Sequence, residues 1–389
     1  MKIALPRACL TADHAGRDEA PSTAIASGRR VRTGSRLALL AMLGLLAACQ
    51  PAMQLMPPPL AFTQGHQPLF TNDIATRNAP EIPVFYATNR GVVLETQPPV
   101  YTIFPGTDLR LGTAHMRVGD GTLTWKQLNI LSTTEPEGRR PTIRLERLDE
   151  ATVLGAGRDT ANSPAAQAYF DEINRALAQS RNKDLIIYVH GANKAIHRAI
   201  GQAAQFQHFT GRDAVVLTFV WPSGERVRRY FSDIRTARAS IPAFTQLIEL
   251  LAANTDARQI DILAYSAGAE IASAGLAQLG LRDTGESREA LKRRLRLGQV
   301  YYAAPDADTR AFADDIQHYI DLPERVSVSA NLNDSALAFA QFRHRASRPL
   351  TETRSTLRPW RSKAMRSVDA RSLTSSRARP WSRLPTTLY

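Results

Sequence analysis

Apolar residues in the middle of the chain come in short, nearly continuous runs that alternate with longer stretches of helical character. The short runs indicate strands that are buried on both faces of a sheet. They lie at residues 185–189, 215–220, 260–264, 297–303 and 326–330, and the helical stretches lie at residues 195–207, 237–253, 267–279 and 309–320. This alternation predicts an α/β protein with a mostly parallel sheet and helices on both faces.

The preceding region, residues 81–150, predicts antiparallel strands at one edge of the same sheet. Together the two regions form one predicted domain, residues 81–344, and about 260 residues are enough to bury a single core. The sequence contains no internal repeat, no glycine-rich phosphate loop and no cysteine–histidine metal cluster. We therefore expect neither a cofactor nor a metal.

A serine stands at the junction of one predicted strand and the helix after it. The junction reads Ala264-Tyr265-Ser266-Ala267-Gly268. It has the pattern of a nucleophile elbow whose first glycine is replaced by alanine. Such an elbow exposes the serine Oγ on a sharp strand-to-helix turn, above the N-terminus of the helix. The pattern predicts Ser266 as a nucleophile.

A second motif follows the first of the predicted parallel strands, at residues 190–193, with the sequence His-Gly-Ala-Asn. In a fold with such an elbow, this loop supplies one oxyanion-hole N–H and the residue after the nucleophile supplies the other. The predicted donors are therefore Ala267 and either Ala192 or Asn193. His190 precedes the serine, whereas the base of this fold follows it, so we interpret His190 as a histidine that closes its strand.

Six segments of the chain resemble one family, in the expected order. They are residues 84–90 (VFYATNR), 188–193 (YVHGAN), 219–223 (FVWPS), 264–268 (AYSAG), 303–308 (AAPDAD) and 333–337 (NDSAL). The family is the uncharacterised bacterial α/β hydrolases of the esterase/lipase superfamily. The resemblance implies the α/β-hydrolase fold and its reaction class, without a substrate. The chain departs from the family at Tyr265, Ala267 and Ala269, where the family has histidine, methionine and asparagine.

A serine nucleophile needs a base and an orienting acid, and in this fold the acid and then the histidine follow the serine. Asp334 comes after the last predicted strand and is the preferred acid, while Asp306 is the alternative. His344 is the only histidine after Asp334, so chain order makes it the candidate base. Because ten residues cannot hold a further helix and strand, we expect either an unconventional base or an inactive or truncated version of such an enzyme.

Three aromatic or imidazole side chains are predicted around the substrate pocket: His190, Trp221 and Tyr265. Trp221 follows a strand at the carboxyl edge of the sheet, where α/β proteins bind their ligands. Packing in the interior is the alternative role for Trp221. Asp233 and Arg235 are interpreted as a local ion pair.

The N-terminal region predicts export and lipidation. Arginines at residues 29–36 precede an apolar run at residues 37–48, which is typical of a signal peptide and too short to span a bilayer. The run ends in Leu-Ala-Ala before Cys49, which resembles a lipobox and predicts Cys49 as the lipidated first residue; an ordinary signal peptide is the alternative. Gln50 favours the outer membrane, and the proline-rich residues 49–80 predict an extended tether.

The net charge of +13 lies at the two ends of the chain. Residues 1–48 hold 7 basic and 3 acidic side chains, and residues 345–389 hold 11 and 2. Residues 49–344 are therefore neutral, which argues against a nucleic-acid-binding domain. The tail at residues 345–389 has no periodicity, and lipid contact, disorder and a shifted reading frame all remain open.

The sequence as a whole predicts a lipid-anchored serine hydrolase of the cell envelope, on the periplasmic side of the outer membrane, that cleaves small-molecule or lipid esters. The competing hypothesis is an inactive protein of the same fold that serves as a binding or structural module. The retained Ser266 elbow favours the first hypothesis, and the absence of an evident catalytic histidine favours the second.

Overall fold

Eight strands form one mixed sheet in the order β3-β2-β1-β5-β4-β6-β7-β8. Their bounds are β1 Glu81–Leu94, β2 Val100–Val118, β3 Ile143–Leu154, β4 Asp184–Val189, β5 Val215–Phe219, β6 Gln259–Tyr265, β7 Leu297–Ala303 and β8 Arg325–Ser329. Strands β4 to β8 pair in parallel, while β2 pairs antiparallel with both β1 and β3. The sheet therefore has a parallel body and an N-terminal antiparallel edge, as the sequence predicts.

The computed structural model describes residues 52–59, 62, 80–134, 140–155, 159–224, 229–283 and 285–329. Several sequence predictions lie outside these residues: the signal peptide at residues 1–48, Cys49, most of the tether at residues 49–80, Asp334, His344 and the tail at residues 345–389.

Strand β1 joins the antiparallel edge to the parallel body. It is antiparallel to β2 but parallel to β5, with Phe85 beside Leu217 and Ala87 beside Phe219. Its carboxyl end therefore lies at the same edge of the sheet as the carboxyl ends of the parallel strands. This arrangement brings residues from the start of the domain to the loops that follow β4 and β5.

Side chains of the central strands alternate between two cores. In β4, Leu185, Ile187 and Val189 enter one apolar cluster, and Ile186 and Tyr188 enter the other. The first cluster is covered by helices α2 Pro164–Gln179, α4 Tyr230–Asn254, α5 Gly268–Leu281, α6 Arg288–Leu295 and α7 Thr309–Tyr319, and the second by α1 Trp125–Thr133 and α3 Ile196–Phe209. Because both faces are covered, the parallel strands are apolar at nearly every position.

The five strands and four helices predicted from the apolar pattern are confirmed, with shifts at their ends. The largest shift is in α4, which begins at Tyr230, seven residues before the predicted start. Helices α1, α2 and α6 were not predicted, although Ser163 caps α2 and Pro164 opens it, which are ordinary signals of a helix start. Among the described helices, none combines the length and apolar character needed to cross a membrane.

Candidate active site

Ser266 has a backbone conformation that is uncommon for a side-chain-bearing residue. Its φ is +52°, in the left-handed region, where an L-residue costs roughly 1–2 kcal/mol. Three hydrogen bonds hold this turn: the Ser266 N–H donates to Ala303 O at 3.0 Å, and Ser266 O accepts from the N–H groups of Ala269 and Asp306 at 3.0 and 3.1 Å. The turn joins β6 directly to α5, so the serine side chain stands at the carboxyl edge of the sheet.

Two glycines allow the close approach that this turn needs. A Cβ on Gly268 would lie 2.5 Å from Val189 O and 2.8 Å from His190 O. A Cβ on Gly191 would lie 3.0 Å from the Cβ of Ser266. The start of α5 therefore packs directly on the end of β4, and the loop after β4 touches the serine.

The backbone N–H groups of Ala267 and Ala192, two of the predicted donors, have no hydrogen-bond partner among the described residues. Ala267 is the N-terminal cap of α5, so its N–H lies at the positive end of the helix dipole. The third predicted donor, the N–H of Asn193, donates to Asp233 Oδ2 at 3.0 Å. Of the two predicted donors in this loop, only Ala192 therefore remains, because the Asn193 N–H is bonded to Asp233.

His190 and Trp221 lie beneath the loop rather than along an open pocket wall, and both side chains are completely buried. Their rings stack with centroids 5.1 Å apart, and Trp221 Nε1 donates to His190 O at 2.7 Å. The His190 Nδ1–H donates to Gly191 O at 2.7 Å. This placement differs from the predicted pocket role because the sheet edge here is packed, with Trp221 filling the space under the loop. Tyr265, in contrast, is only half-buried beside Ser266.

The pKa of His190 is lowered to about 3, mainly by burial; the hydrogen bond to Gly191 opposes this shift, and the positive charges of Arg90 and Lys194 add to it. The ring is therefore neutral at physiological pH. A histidine with so low a pKa is a weak base. His190 thus supports the loop structurally, in agreement with its interpretation as a strand-closing residue.

Asp306, the alternative acid, lies next to the serine turn. Its backbone N–H donates to Ser266 O, and its Oδ2 accepts a hydrogen bond of 2.6 Å from the Tyr230 hydroxyl at the start of α4. Asp308 has a different task, since its Oδ1 accepts from two backbone N–H groups and caps α7. Asp334 and His344 lie outside the described residues. Within the described part of the chain, the Ser266 hydroxyl has no hydrogen bond to any histidine.

The part of β1 that follows its pairing with β5 contributes buried polar residues that the sequence did not identify as part of the site. Arg90 is buried, and its Nη2 donates to Lys194 O at 3.0 Å and to Ser223 O at 3.3 Å. Thr88 Oγ1 donates to Val220 O at 2.5 Å. These bonds connect β1 to the loops after β4 and β5.

Asp233 has a different role from the one predicted from the sequence. The predicted ion pair with Arg235 does not form: Asp233 is buried, and its two carboxylate oxygens accept backbone N–H groups of Asn193 and Gly224. Among the described residues, no cluster of histidine, cysteine, aspartate and glutamate could hold a metal ion.

The mixed sheet of eight strands and the serine on a left-handed turn between a strand and a helix are features of the α/β-hydrolase fold. Residues 165–376 match the family model described as alpha/beta hydrolase of unknown function (DUF900). The chain belongs to this family, which agrees with the resemblance seen in the sequence. A search of curated proteins finds no match. Family membership supports a hydrolase and leaves its substrate open.

Proposed function

We propose that the protein is a serine hydrolase that cleaves carboxylic esters and uses Ser266 as its nucleophile. The observation that carries this proposal is the left-handed backbone of Ser266, held between Ala303 and Asp306. Strained φ values at non-glycine residues persist where the surrounding structure enforces them, and they concentrate at functional sites. The same turn places Ser266 between β6 and α5, which is the position of the nucleophile in a nucleophile elbow.

In the proposed reaction, Ser266 Oγ attacks the ester carbonyl carbon while its proton passes to a base. The negative charge that develops on the carbonyl oxygen is stabilised by the N–H groups of Ala267 and Ala192. Collapse of the intermediate breaks the bond to the alcohol, which leaves with the proton from the base. Water then attacks the acyl-serine by the same route and releases the acid.

The acid and the base of this mechanism are assigned on chain order. Asp334 is the preferred acid, Asp306 is the alternative, and His344 is the base. The bond from Tyr230 to Asp306 Oδ2 supports Asp334, because Asp306 already has a partner at the site edge. Loss of kcat in Asp334→Asn with little change in Asp306→Asn would support this order, and the reverse result would exchange the two roles. His344→Gln tests the base in the same assay.

Hydrolysis of p-nitrophenyl esters with short and long acyl chains tests the proposed function. The full chain and Ser266→Ala are compared, with Ser287→Ala as the control, since Ser287 caps α6 away from the site. We expect hydrolysis by the wild type and by the control, and its loss in Ser266→Ala. Equal hydrolysis in Ser266→Ala would overturn the assignment of the nucleophile.

A catalytically inactive module for binding is the second candidate function. It is favoured by the sequence after Asp334, where His344 is the only histidine and follows by only ten residues. For this candidate we expect a folded protein with no hydrolysis of any ester in the series. The two candidates are therefore separated by the same assay.

We also propose that the protein is a lipoprotein of the cell envelope, anchored to the membrane through Cys49. The proposal is supported by the basic and apolar segments that precede this cysteine. Metabolic labelling with a fatty-acid analogue, in a host that processes lipoproteins, should mark the wild type and not Cys49→Ser. Equal labelling of both would contradict lipidation at this residue.

A further inference from the structure

Asp233 lies in the first turn of α4 and connects two loops of the candidate site. Its Oδ2 accepts the N–H of Asn193 at 3.0 Å, from the loop after β4. Its Oδ1 accepts the N–H of Gly224 at 2.9 Å, from the loop after β5. Only 2% of the Asp233 surface is exposed, so these bonds form away from water. The carboxylate of Asp233, on α4, is thus hydrogen-bonded to both loops.

The loop after β4 needs such a support at this point. Asn193 has a φ of +64°, in the left-handed region, and such a conformation persists in a non-glycine residue where the surrounding structure holds it. The Ala192 N–H, the free donor of this loop, belongs to the residue directly before Asn193. A change in the backbone of Asn193 would therefore rotate or displace the donor of the proposed oxyanion hole.

The charges around Asp233 match this role. The pKa of its carboxyl group is raised because burial outweighs the Gly224 and Asn193 N–H groups and the nearby Arg229 and Arg90, all of which favour the charged form. Arg90 supports the same loops from the opposite direction, because it donates to the carbonyl oxygens that follow Asn193 and precede Gly224, those of Lys194 and Ser223. Charge-assisted bonds of this kind are roughly twice as strong as neutral ones.

We propose that Asp233 is a positioning residue of the oxyanion hole: it holds Asn193 in its left-handed conformation and thereby sets the position of the Ala192 N–H beside Ser266. This inference rests on the proposed serine-hydrolase function. An aspartate suits the task because both of its oxygens accept hydrogen bonds. An asparagine has one acceptor oxygen and would direct an NH₂ group, itself a donor, at the second backbone N–H.

The test measures how fast a fluorophosphonate labels the full chain, as the maximal rate constant of labelling and the probe concentration that gives half of it. The variants are Asp233→Asn and Asp233→Ala. Asp261→Asn is the matched control, since Asp261 is also buried and accepts a backbone N–H, that of Gln299 at 2.6 Å, on the part of β6 remote from Ser266.

We expect the maximal rate constant to fall about 10-fold in Asp233→Asn and about 100-fold in Asp233→Ala, because displaced donors no longer meet the developing charge. The half-saturating probe concentration should stay within about 3-fold of the wild type, since the oxyanion forms only in the transition state. A merely structural role would instead lower stability in the Asp233 and Asp261 variants alike, with no selective loss of rate.

Amide hydrogen exchange on the wild type provides a second measurement that needs no variant. Slow exchange at Asn193 and Gly224 supports the two bonds, whereas exchange as fast as in an open loop would overturn them. If the wild type is labelled and Asp233→Asn reacts like Asp261→Asn, the inference fails and the proposed function stands. If the folded wild type is not labelled, the proposed function fails, and the role of Asp233 fails with it.

Discussion

The replacement of Gly268 by alanine provides a quantitative test of how tightly the serine turn is built. The added Cβ would lie 2.5 Å from Val189 O and 2.8 Å from His190 O, whereas real Cβ atoms essentially never come within 3.0 Å of such neighbours. Val189 belongs to β4, which is paired on both sides by β5 and β6 and cannot yield easily. The start of α5, and Ser266 with it, must therefore move by about 0.5 Å or more.

Two effects set the expected stability of Gly268→Ala. Overpacking of this kind costs about 1–3 kcal/mol. Alanine in place of glycine within a helix returns up to about 1 kcal/mol. The free energy of unfolding should therefore fall by about 1–2 kcal/mol, as measured by urea denaturation. Since a displacement of about 1 Å at a reacting group can cost 100-fold in rate, a shift of half that size should slow fluorophosphonate labelling about 10-fold.

Gly275→Ala is the matched control for this experiment. Gly275 lies in the same helix, but the nearest atoms to its added Cβ, at 2.8 and 3.3 Å, belong to the side chains of Phe244 and Thr245 rather than to the backbone of a paired strand. We expect a smaller loss of stability and no change in the labelling rate. If Gly268→Ala is as stable as the wild type and is labelled equally fast, the reasoning about this contact is refuted.

Three further predictions concern burial, strain and surface charge. Burial lowers the pKa of His208 and His190, so the unfolded chain binds more protons than the native state below about pH 6.5. The free energy of unfolding should therefore be full above that pH and fall on acidification, by up to about 1.4 kcal/mol per pH unit for each histidine. In His208→Gln, the dependence of this free energy on pH between pH 7 and pH 5, measured by urea denaturation, should be flatter. Ser266→Gly should be more stable than Ser266→Ala by about 0.5–1 kcal/mol in urea, because glycine adopts the left-handed conformation without strain; a more stable alanine variant would contradict the assigned φ. Asp321→Ala should lower the free energy of unfolding by no more than about 1 kcal/mol, since the 2.6 Å ion pair of Asp321 with Arg288 is largely exposed. A loss of about 3 kcal/mol or more, on the scale of about 3–5 kcal/mol for a broken buried pair, would show that this pair is not solvated.

The sequence predicted the parallel body of the sheet because its strands carry a strong local signal. In β4, both alternate sets of side chains enter a core, so the run is apolar throughout and could be recognised without its neighbours. The turn at Ser266 was predictable for a similar reason, since Gly268 and the small residues around the serine are required by a local approach of backbones.

The rest of the site depends on contacts between residues far apart in the chain. Asp233 meets Asn193 across 40 positions, and Arg90 meets Lys194 across 104. Local charge spacing suggested Arg235 as the partner of Asp233, but the fold buries Asp233 against backbone N–H groups instead. The parallel pairing of β1 with β5 was equally hidden, because nothing within β1 specifies which strand lies beside it. His190 and Trp221 are likewise buried by contacts between segments that are distant in the chain.

Mass mapping of the residue that a fluorophosphonate modifies shows whether Ser266 is an activated nucleophile. The full chain is labelled, digested and compared with Ser266→Ala treated in the same way. We expect a single phosphonylated site at Ser266 in the wild type and none in the variant. A folded wild type that remains unmodified, or one that is modified at another serine, would show that Ser266 is not the activated nucleophile.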